Sequence, residues 1–135
     1  MILMVCLDDN NAMAFHRRRQ SQDRLGRQRL LALTGGAPLW MNGASAKLFG
    51  DAPNLRVAQD FLDQAGQGEY CFAEFPPLAP WAAQAERVVV LRWNRVYPAD
   101  AWLDIPLKAP LWRLVKAEDF PGSSHETLTL EVYER

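Results

Sequence analysis

The sequence has few of the residues that cross-link small proteins or hold metals. Its 135 residues include two cysteines and two histidines, and none of these lies in a CxxC, HxH or HExxH spacing. Those spacings are typical of redox, disulfide or zinc sites, so we predict no disulfide framework and no metal site. Cys6 and Cys71 lie among apolar residues. We expect them to be buried free thiols of a cytoplasmic protein.

Long hydrophobic runs and an excess of one charge are also absent. No apolar stretch approaches the roughly 20 residues that cross a bilayer, and the apolar start of the chain lacks the basic flank of a secretory signal. The 15 basic and 16 acidic residues nearly balance, so neither a membrane nor nucleic acid is predicted as a partner. With 49% hydrophobic residues the chain is predicted to fold, as one domain over residues 1–135.

Short apolar runs alternate with helical patterns along the first part of the chain. We predict strands in four segments: 2–7, 38–41, 54–57 and 70–73. Helices are predicted after an N-cap at Ser21 and in the segments 44–49, 61–65 and 81–85. Such short strand–helix–strand steps favour parallel strands joined by crossover helices.

The pattern changes after Arg87. A strand predicted at 88–93 is followed by no helical segment but by two further strands, at 111–115 and 127–133. Apolar and polar residues alternate along 127–133, which is typical of a strand with one solvated face. We therefore predict a three-layer α/β/α fold with a mixed, mostly parallel sheet and an antiparallel C-terminal strand pair.

This order of elements and several local strings resemble dihydrofolate reductase. The strings WRLV at 112–115, EDF at 118–120 and TLEVYER at 129–135 are similar to the family's tryptophan strand, acidic turn and last strand. Three segments match by order and spacing: 9–13, 38–43 and 99–103. The resemblance covers nearly the whole chain. It implies the family's fold, and NADPH-dependent reduction of dihydrofolate or a related pterin as the family's activity.

The turn after the second predicted strand departs from the family's pattern. In the family it reads G-R-x-T, and its arginine and threonine hold NADPH phosphates. Here the turn is Asn42, Gly43, Ala44 and Ser45, so only a hydroxyl remains, and Lys47 offers a charge from another position. Asn42, Gly43, Ser45 and Lys47 are therefore degenerate candidates for cofactor binding.

Two further departures concern the same cofactor. The family's second phosphate-binding segment has no counterpart between Gly50 and Val57. Glu74 and Phe75 stand where the resemblance requires a Gly-Gly pair that lets a diphosphate approach a helix N-terminus. We expect no NADPH in the family's binding mode and no other cofactor.

Asp23 is the candidate catalytic residue. The resemblance places a proton-donating carboxylate early in the first helix, which is where Asp23 stands. The alternative is a half-exposed acid that favours the helix dipole and is kept ionised by Arg24 and Arg27, so that Asp23→Asn costs only ~0.3–1 kcal/mol. The position of the family's substrate-binding threonine falls near Arg92, and an arginine does not simply take over the role of that threonine in binding the substrate.

The basic segment between His16 and Arg29 is the one strong charge feature. It contains six arginines and a single acid, Asp23. Guanidinium groups bind phosphates and carboxylates through paired N–H donors. The anion-binding candidates are Arg17, Arg18, Arg19 and Arg24, with a solvated helix face as the alternative. The expected partner is an unidentified small molecule or an acidic or phosphorylated ligand; the sequence leaves open whether copies of the chain associate.

Two further groups of residues receive structural interpretations. Ser123, Ser124, His125 and Glu126 are adjacent, and neighbours along a loop rarely face one another as a catalytic triad requires. We interpret them as a turn before the last strand. The five tryptophans are expected mostly in the core; the alternative for Trp93, Trp102 or both is that they line a pocket or a dimer face.

Two functional hypotheses follow. In the first, the chain is a divergent member of the dihydrofolate reductase fold without NADPH-dependent activity, acting as a small-ligand-binding or protein-interaction domain. In the second, it is a reductase of dihydrofolate or a related pterin, with Asp23 as proton donor and an altered cofactor site.

Overall fold

Seven strands form the main sheet of the computed structural model, which describes all 135 residues. Three further strands form a second sheet. In chain order the ten strands are β1 (Ile2–Leu7), β2 (Ala12–Phe15), β3 (Arg18–Arg19), β4 (Leu39–Met41), β5 (Leu55–Val57), β6 (Tyr70–Phe72), β7 (Arg87–Arg92), β8 (Ala101–Trp102), β9 (Arg113–Pro121) and β10 (Thr127–Glu134). The helices are α1 (Arg24–Leu33), α2 (Gly43–Phe49), α3 (Phe61–Gln64) and a 3₁₀ helix (Ala79–Gln84). No helix has the length and hydrophobicity that crossing a bilayer requires.

The main sheet has the strand order β5-β4-β6-β1-β7-β10-β9. The pairs among β5, β4, β6, β1 and β7 are parallel, and β10 runs antiparallel to both β7 and β9. This arrangement confirms the predicted mixed sheet with an antiparallel C-terminal pair. A second, small sheet has the order β3-β2-β8, and its strand β2 contacts β1.

Strand β1 lies at the centre of the main sheet and is buried on both faces. Leu3, Val5 and Leu7 belong to the apolar cluster on one face, and Ile2 and Met4 belong to the cluster on the other. This placement confirms the prediction from the continuous apolar run, because only a strand covered on both sides needs apolar residues at every position.

Three predicted boundaries were wrong. The N-cap of α1 is Asp23 rather than Ser21, because the Asp23 carboxylate accepts the Gly26 N–H. The segment predicted as a helix at 81–85 is the 3₁₀ helix. Strand β9 begins later than the predicted strand at 111–115 and continues through the residues interpreted as an acidic turn. It is an exposed edge strand whose hydrogen bonds to β10 do not need apolar side chains.

The small sheet and one tryptophan also differ from expectation. Strands β2, β3 and β8 are only two to four residues long, too short for a periodic pattern. Trp93 and Trp112 are buried as predicted, whereas Trp102 is 50% exposed on β8. Cys71 is buried and Cys6 partly so, and neither forms a disulfide.

Candidate functional site

A narrow cleft lies beside α1, near the carboxyl ends of β1, β6 and β7. Its floor is apolar and includes Cys6, Phe72 and Leu91, while Arg19 and Glu74 stand among its polar walls. About 420 Å³ of empty space lies between the walls, but only about 20 Å³ of it can hold the centre of a water molecule. The carboxyl ends of parallel strands are where α/β folds bind ligands. The space therefore admits little more than a water molecule, and a larger ligand group requires the walls to move apart.

Glu74 is bonded on both carboxylate oxygens to side chains of this chain. Arg19 donates through Nε to Oε2 at 2.6 Å and through Nη2 to Oε1 at 3.0 Å, and the Ser45 hydroxyl donates to Oε1 at 2.7 Å. The Glu74 side chain is only 7% exposed. Arg19, one of the predicted anion-binding residues, therefore already holds an anionic group of the protein itself.

The other predicted cofactor residues lie at the start of α2. The Asn42 side chain accepts the Ser45 N–H at 2.8 Å and caps the helix, which begins at Gly43. Lys47 is exposed and forms no ion pair. Of the four candidates, only Ser45 directs a side chain to Glu74.

Asp23 is buried, with 1% of its surface exposed, rather than half exposed as the alternative predicted. Oδ1 accepts the N–H groups of Gly26 and Ser123 at 2.9 and 3.0 Å. Oδ2 accepts the N–H groups of Ser123, Ser124 and His125 at 2.9–3.1 Å. The partners are thus the loop before β10, and not Arg24 or Arg27, because capping α1 turns the carboxylate inward.

These donors decide the charge of Asp23. Burial by itself raises the pKa of its carboxyl, but the N–H groups of Ser123, Gly26 and Ser124 and the His125 ring hold that pKa well below its ordinary value. Gly122 allows the close approach of the loop, since a Cβ there would lie 2.6 Å from Asp23 Oδ2 and from the His125 carbonyl oxygen. The structure therefore supports an ionised Asp23 of structural importance.

His125 joins three segments that are distant in the sequence. Its Nδ1 lies 3.1 Å from Asp23 Oδ2, and its Nε2 lies 3.1 Å from Ser21 Oγ and 3.0 Å from the Tyr97 hydroxyl. The ring stacks on Trp93 with 4.9 Å between centroids and 18° between planes. The sequence did not reveal that Ser21 and Tyr97 are partners of His125. Ser21 is 104 positions and Tyr97 is 28 positions away from it along the chain, and no local pattern connects residues so far apart.

Arg92 stands in an ion pair at the end of β7. Its Nε lies 2.7 Å from Glu131 Oε1, and its Nη1 donates to the Asp8 carbonyl at 3.0 Å and to the Asn11 side chain. Both charged side chains are largely buried, with 15% and 17% exposed. Arg92 thus ties β7 to β10 and to the turn after β1.

The remaining predicted anion-binding residues are unpaired. Arg17 is exposed on the turn between β2 and β3, Arg18 is exposed at the start of β3, and Arg24 is exposed at the start of α1; none of the three forms a salt bridge. Arg18 lines an open groove with about 920 Å³ of empty space, which is also lined by His16, Arg19, Gln20 and Tyr97 and is here called the basic groove. Cationic groups therefore face solvent beside the cleft.

Gln20 lies between the cleft and the basic groove and carries an unpaired atom. Its amide donates through Nε2 to Asp8 Oδ2 at 3.1 Å, which orients the group. Its Oε1 is buried and accepts no hydrogen bond. Buried acceptors are usually paired with a protein, water or ligand donor. Gln20 Oε1 is thus available to a bound N–H or O–H group.

No group of three or more histidine, cysteine, aspartate or glutamate side chains is arranged to hold a metal ion. No protein-family model matches the chain, and no curated protein matches it in sequence. A structural match is a dihydrofolate reductase from Enterococcus faecalis complexed with NADP(H) and RAB-propyl, at 10% sequence identity and a TM-score of 0.68. The match covers 99% of this chain and 95% of the reductase. This chain therefore has the dihydrofolate reductase fold.

Proposed function

We propose that this chain uses the dihydrofolate reductase fold to bind a small organic anion and does not carry out NADPH-dependent reduction. The observation that carries the proposal is that both carboxylate oxygens of Glu74 accept hydrogen bonds from side chains of this chain, those of Arg19 and Ser45. Ligand binding is favoured over a protein-interaction role because polar groups converge on a cleft with an apolar floor.

The pair of Arg19 and Glu74 opposes a phosphate in the family's binding mode, because it places a carboxylate at this position and takes up the N–H donors of Arg19. The resemblance brings a diphosphate close to the backbone at this position, where this chain has a carboxylate that is 7% exposed. The family's arginine at the preceding site is Gly43 here. Each lost charge-assisted hydrogen bond weakens binding by roughly 1.5–3 kcal/mol, and 1.4 kcal/mol is tenfold in affinity. Several such losses remove micromolar affinity.

The groups left unpaired describe the ligand. Gln20 Oε1 accepts no hydrogen bond, so it favours a ligand with an N–H or O–H donor. Arg17 and Arg18 lie beside the cleft without a protein anion, so they favour a carboxylate or phosphate. The ligand is therefore a small anion with a hydrogen-bond donor.

The second candidate function is reduction of dihydrofolate or a related pterin, with NADPH held in an altered site. It needs Asp23 to supply a proton, but six N–H donor contacts and a lowered pKa favour its ionised form. Dihydrofolate-dependent NADPH oxidation that is present in the parent and absent in Asp23→Asn would replace the first function by this one.

A titration of NADPH fluorescence is expected to show no saturable binding to the parent below about 1 mM. The reason is that Glu74 takes the N–H donors of Arg19 and that Gly43 offers no positive charge to a phosphate. Glu74→Ala removes the opposing carboxylate and frees Arg19, so this variant is expected to bind NADPH more tightly than the parent. Asp51→Ala, which removes an exposed carboxylate, is the matched control and is expected to behave like the parent. Micromolar binding by the parent would contradict the proposal.

Phosphate or sulfate is expected to raise the melting temperature of the parent relative to chloride at equal ionic strength, because a ligand that binds only the folded state stabilises it. Arg17→Ala/Arg18→Ala is expected to lose this shift. Arg113→Ala/Lys108→Ala removes two exposed positive charges elsewhere and is expected to keep it. If phosphate or sulfate raised the melting temperature equally in both double variants, Arg17 and Arg18 would belong to a solvated basic surface without an anion site.

A further inference from the structure

Ser21, His125 and Asp23 are arranged in the order of a nucleophile, a base and an orienting acid. Ser21 Oγ lies 3.1 Å from His125 Nε2, and His125 Nδ1 lies 3.1 Å from Asp23 Oδ2. Both distances fall within the hydrogen-bond reach that defines an activated serine. We propose that these three residues form an acyl-transfer site that hydrolyses small esters.

The environment of the histidine suits a general base. The His125 side chain is 5% exposed, and the Asp23 side chain is fully buried. An ionised Asp23 accepts the Nδ1–H, which leaves the lone pair of Nε2 directed to hydroxyl donors. Stacking on Trp93 holds the plane of the ring. Asp23 is thus a positioning residue, and His125 is the proton acceptor.

The nucleophile lies at an accessible place. Ser21 is partly exposed and lines the cleft whose floor includes Cys6, Phe72 and Leu91. The backbone N–H groups of Ser21 and Gln22 donate to no atom of this chain. Oxyanion holes are built from N–H groups of this kind, so these two are the candidate donors of the proposed site. The small space and its apolar lining favour a short acyl group.

The reaction is ordinary ester hydrolysis in two halves. Ser21 Oγ forms a bond to the carbonyl carbon while its proton passes to His125 Nε2. The bond from that carbon to the alcohol oxygen then breaks, and the alcohol leaves with the proton from Nε2. Water repeats both steps on the acylated Ser21, which releases the carboxylic acid and restores the hydroxyl.

Tyr97 competes for the same base. Its hydroxyl lies 3.0 Å from His125 Nε2 and 3.5 Å from Ser21 Oγ. A neutral imidazole has one lone pair at Nε2, so only one of the two hydroxyls can donate to it at a time. Removing the Tyr97 hydroxyl therefore leaves Ser21 as the sole donor to this atom.

The inference rests on the proposed function only in placing the substrate in the same cleft. The NADPH and phosphate titrations do not involve Ser21, and the ester chemistry does not involve Glu74, Arg17 or Arg18. Either idea can therefore fail while the other stands.

The experiment is covalent labelling of the full chain with a short alkyl fluorophosphonate, followed by intact-mass and peptide mass spectrometry. We expect one phosphonyl group on Ser21 in the parent, no label in Ser21→Ala, and labelling at least ~100-fold slower in His125→Asn. Thr127→Ala deletes an exposed hydroxyl and is expected to label like the parent. Tyr97→Phe is expected to label at least as fast as the parent.

Release of p-nitrophenolate from p-nitrophenyl acetate provides a second readout, with melting curves to verify that each variant is folded. Ser21→Ala is expected to lose the release that the parent shows. No label on the parent, a label on another residue, or equal labelling rates in the parent and a folded His125→Asn would overturn the proposal. So would parent-like ester hydrolysis by a folded Ser21→Ala.

Discussion

Asp23→Ala is expected to lower the free energy of unfolding by about 3–5 kcal/mol, the size seen when one partner of a buried charged network is removed. The substitution leaves the N–H groups of Gly26, Ser123, Ser124 and His125 without their acceptor. It also removes the cap of α1 and the partner of the His125 ring. Urea unfolding at neutral pH measures the loss.

Asp23→Asn keeps nearly the shape of the side chain and removes its negative charge, so it measures the contribution of the charge. The amide keeps one oxygen but turns an NH₂ group toward N–H donors, so we expect a loss of about 2–3 kcal/mol. The matched control is Asp51→Asn, an exposed acid with no hydrogen bond of its own, whose expected change is within about 0.5 kcal/mol. A loss below about 1 kcal/mol in Asp23→Asn would return Asp23 to an ordinary helix-dipole contact.

Acid unfolding is a further check on the same carboxylate. Its folded-state pKa is lowered relative to an unfolded value of about 3.9. The stability that Asp23 contributes is therefore fully present above about pH 5 and is lost as the pH falls toward the folded-state pKa. The parent is expected to lose more stability than Asp23→Asn between about pH 5 and pH 2. Parallel losses in the two proteins would contradict this assignment.

Arg92→Met is expected to cost about 2–3 kcal/mol of unfolding free energy, because it leaves the mostly buried Glu131 carboxylate without its cation. It also removes the donor to the Asp8 carbonyl, which secures the turn after β1. Arg113→Met is the control, since Arg113 is exposed on β9 and forms no ion pair. Urea unfolding of both variants measures the difference.

A second substitution distinguishes the ion pair from lost packing. Glu131→Gln added to Arg92→Met removes the unpaired charge, so the double variant is expected to be more stable than Arg92→Met alone. If the double variant is less stable by the sum of the two single losses, the pair has no coupling and the argument from charge fails. The test bears on function too, because β7 contributes Leu91 to the floor of the cleft.

Much of the sheet follows from local patterns. The apolar run of β1 predicts a strand covered on both faces, and the alternation along β10 predicts a strand with one wetter face. Both were confirmed, as was the fold class. The start of β9 and the strands β2, β3 and β8 were not predicted correctly, because their side chains are exposed or their length is two to four residues.

The candidate site could be predicted only in part. Asp23, Ser45 and the arginines were recognised as polar groups near the start of helices or turns. Their partners were not, because a hydrogen bond between Asp23 and the 123–125 loop depends on how the chain returns after about a hundred residues. The same holds for Arg19 and Glu74, which are 55 residues apart.

The sequence by itself determined which segments are buried and the order in which they follow one another, since apolar periodicity is a local property. Only the tertiary structure decided that Glu74 is neutralised by Arg19, that Asp23 is a buried anion rather than a half-exposed one, and that His125 stands between Ser21 and Asp23. These are contacts between groups brought together by sheet topology. Charge state and reactivity depend on such neighbours, because burial and hydrogen bonding act over a few ångströms in space and not along the chain.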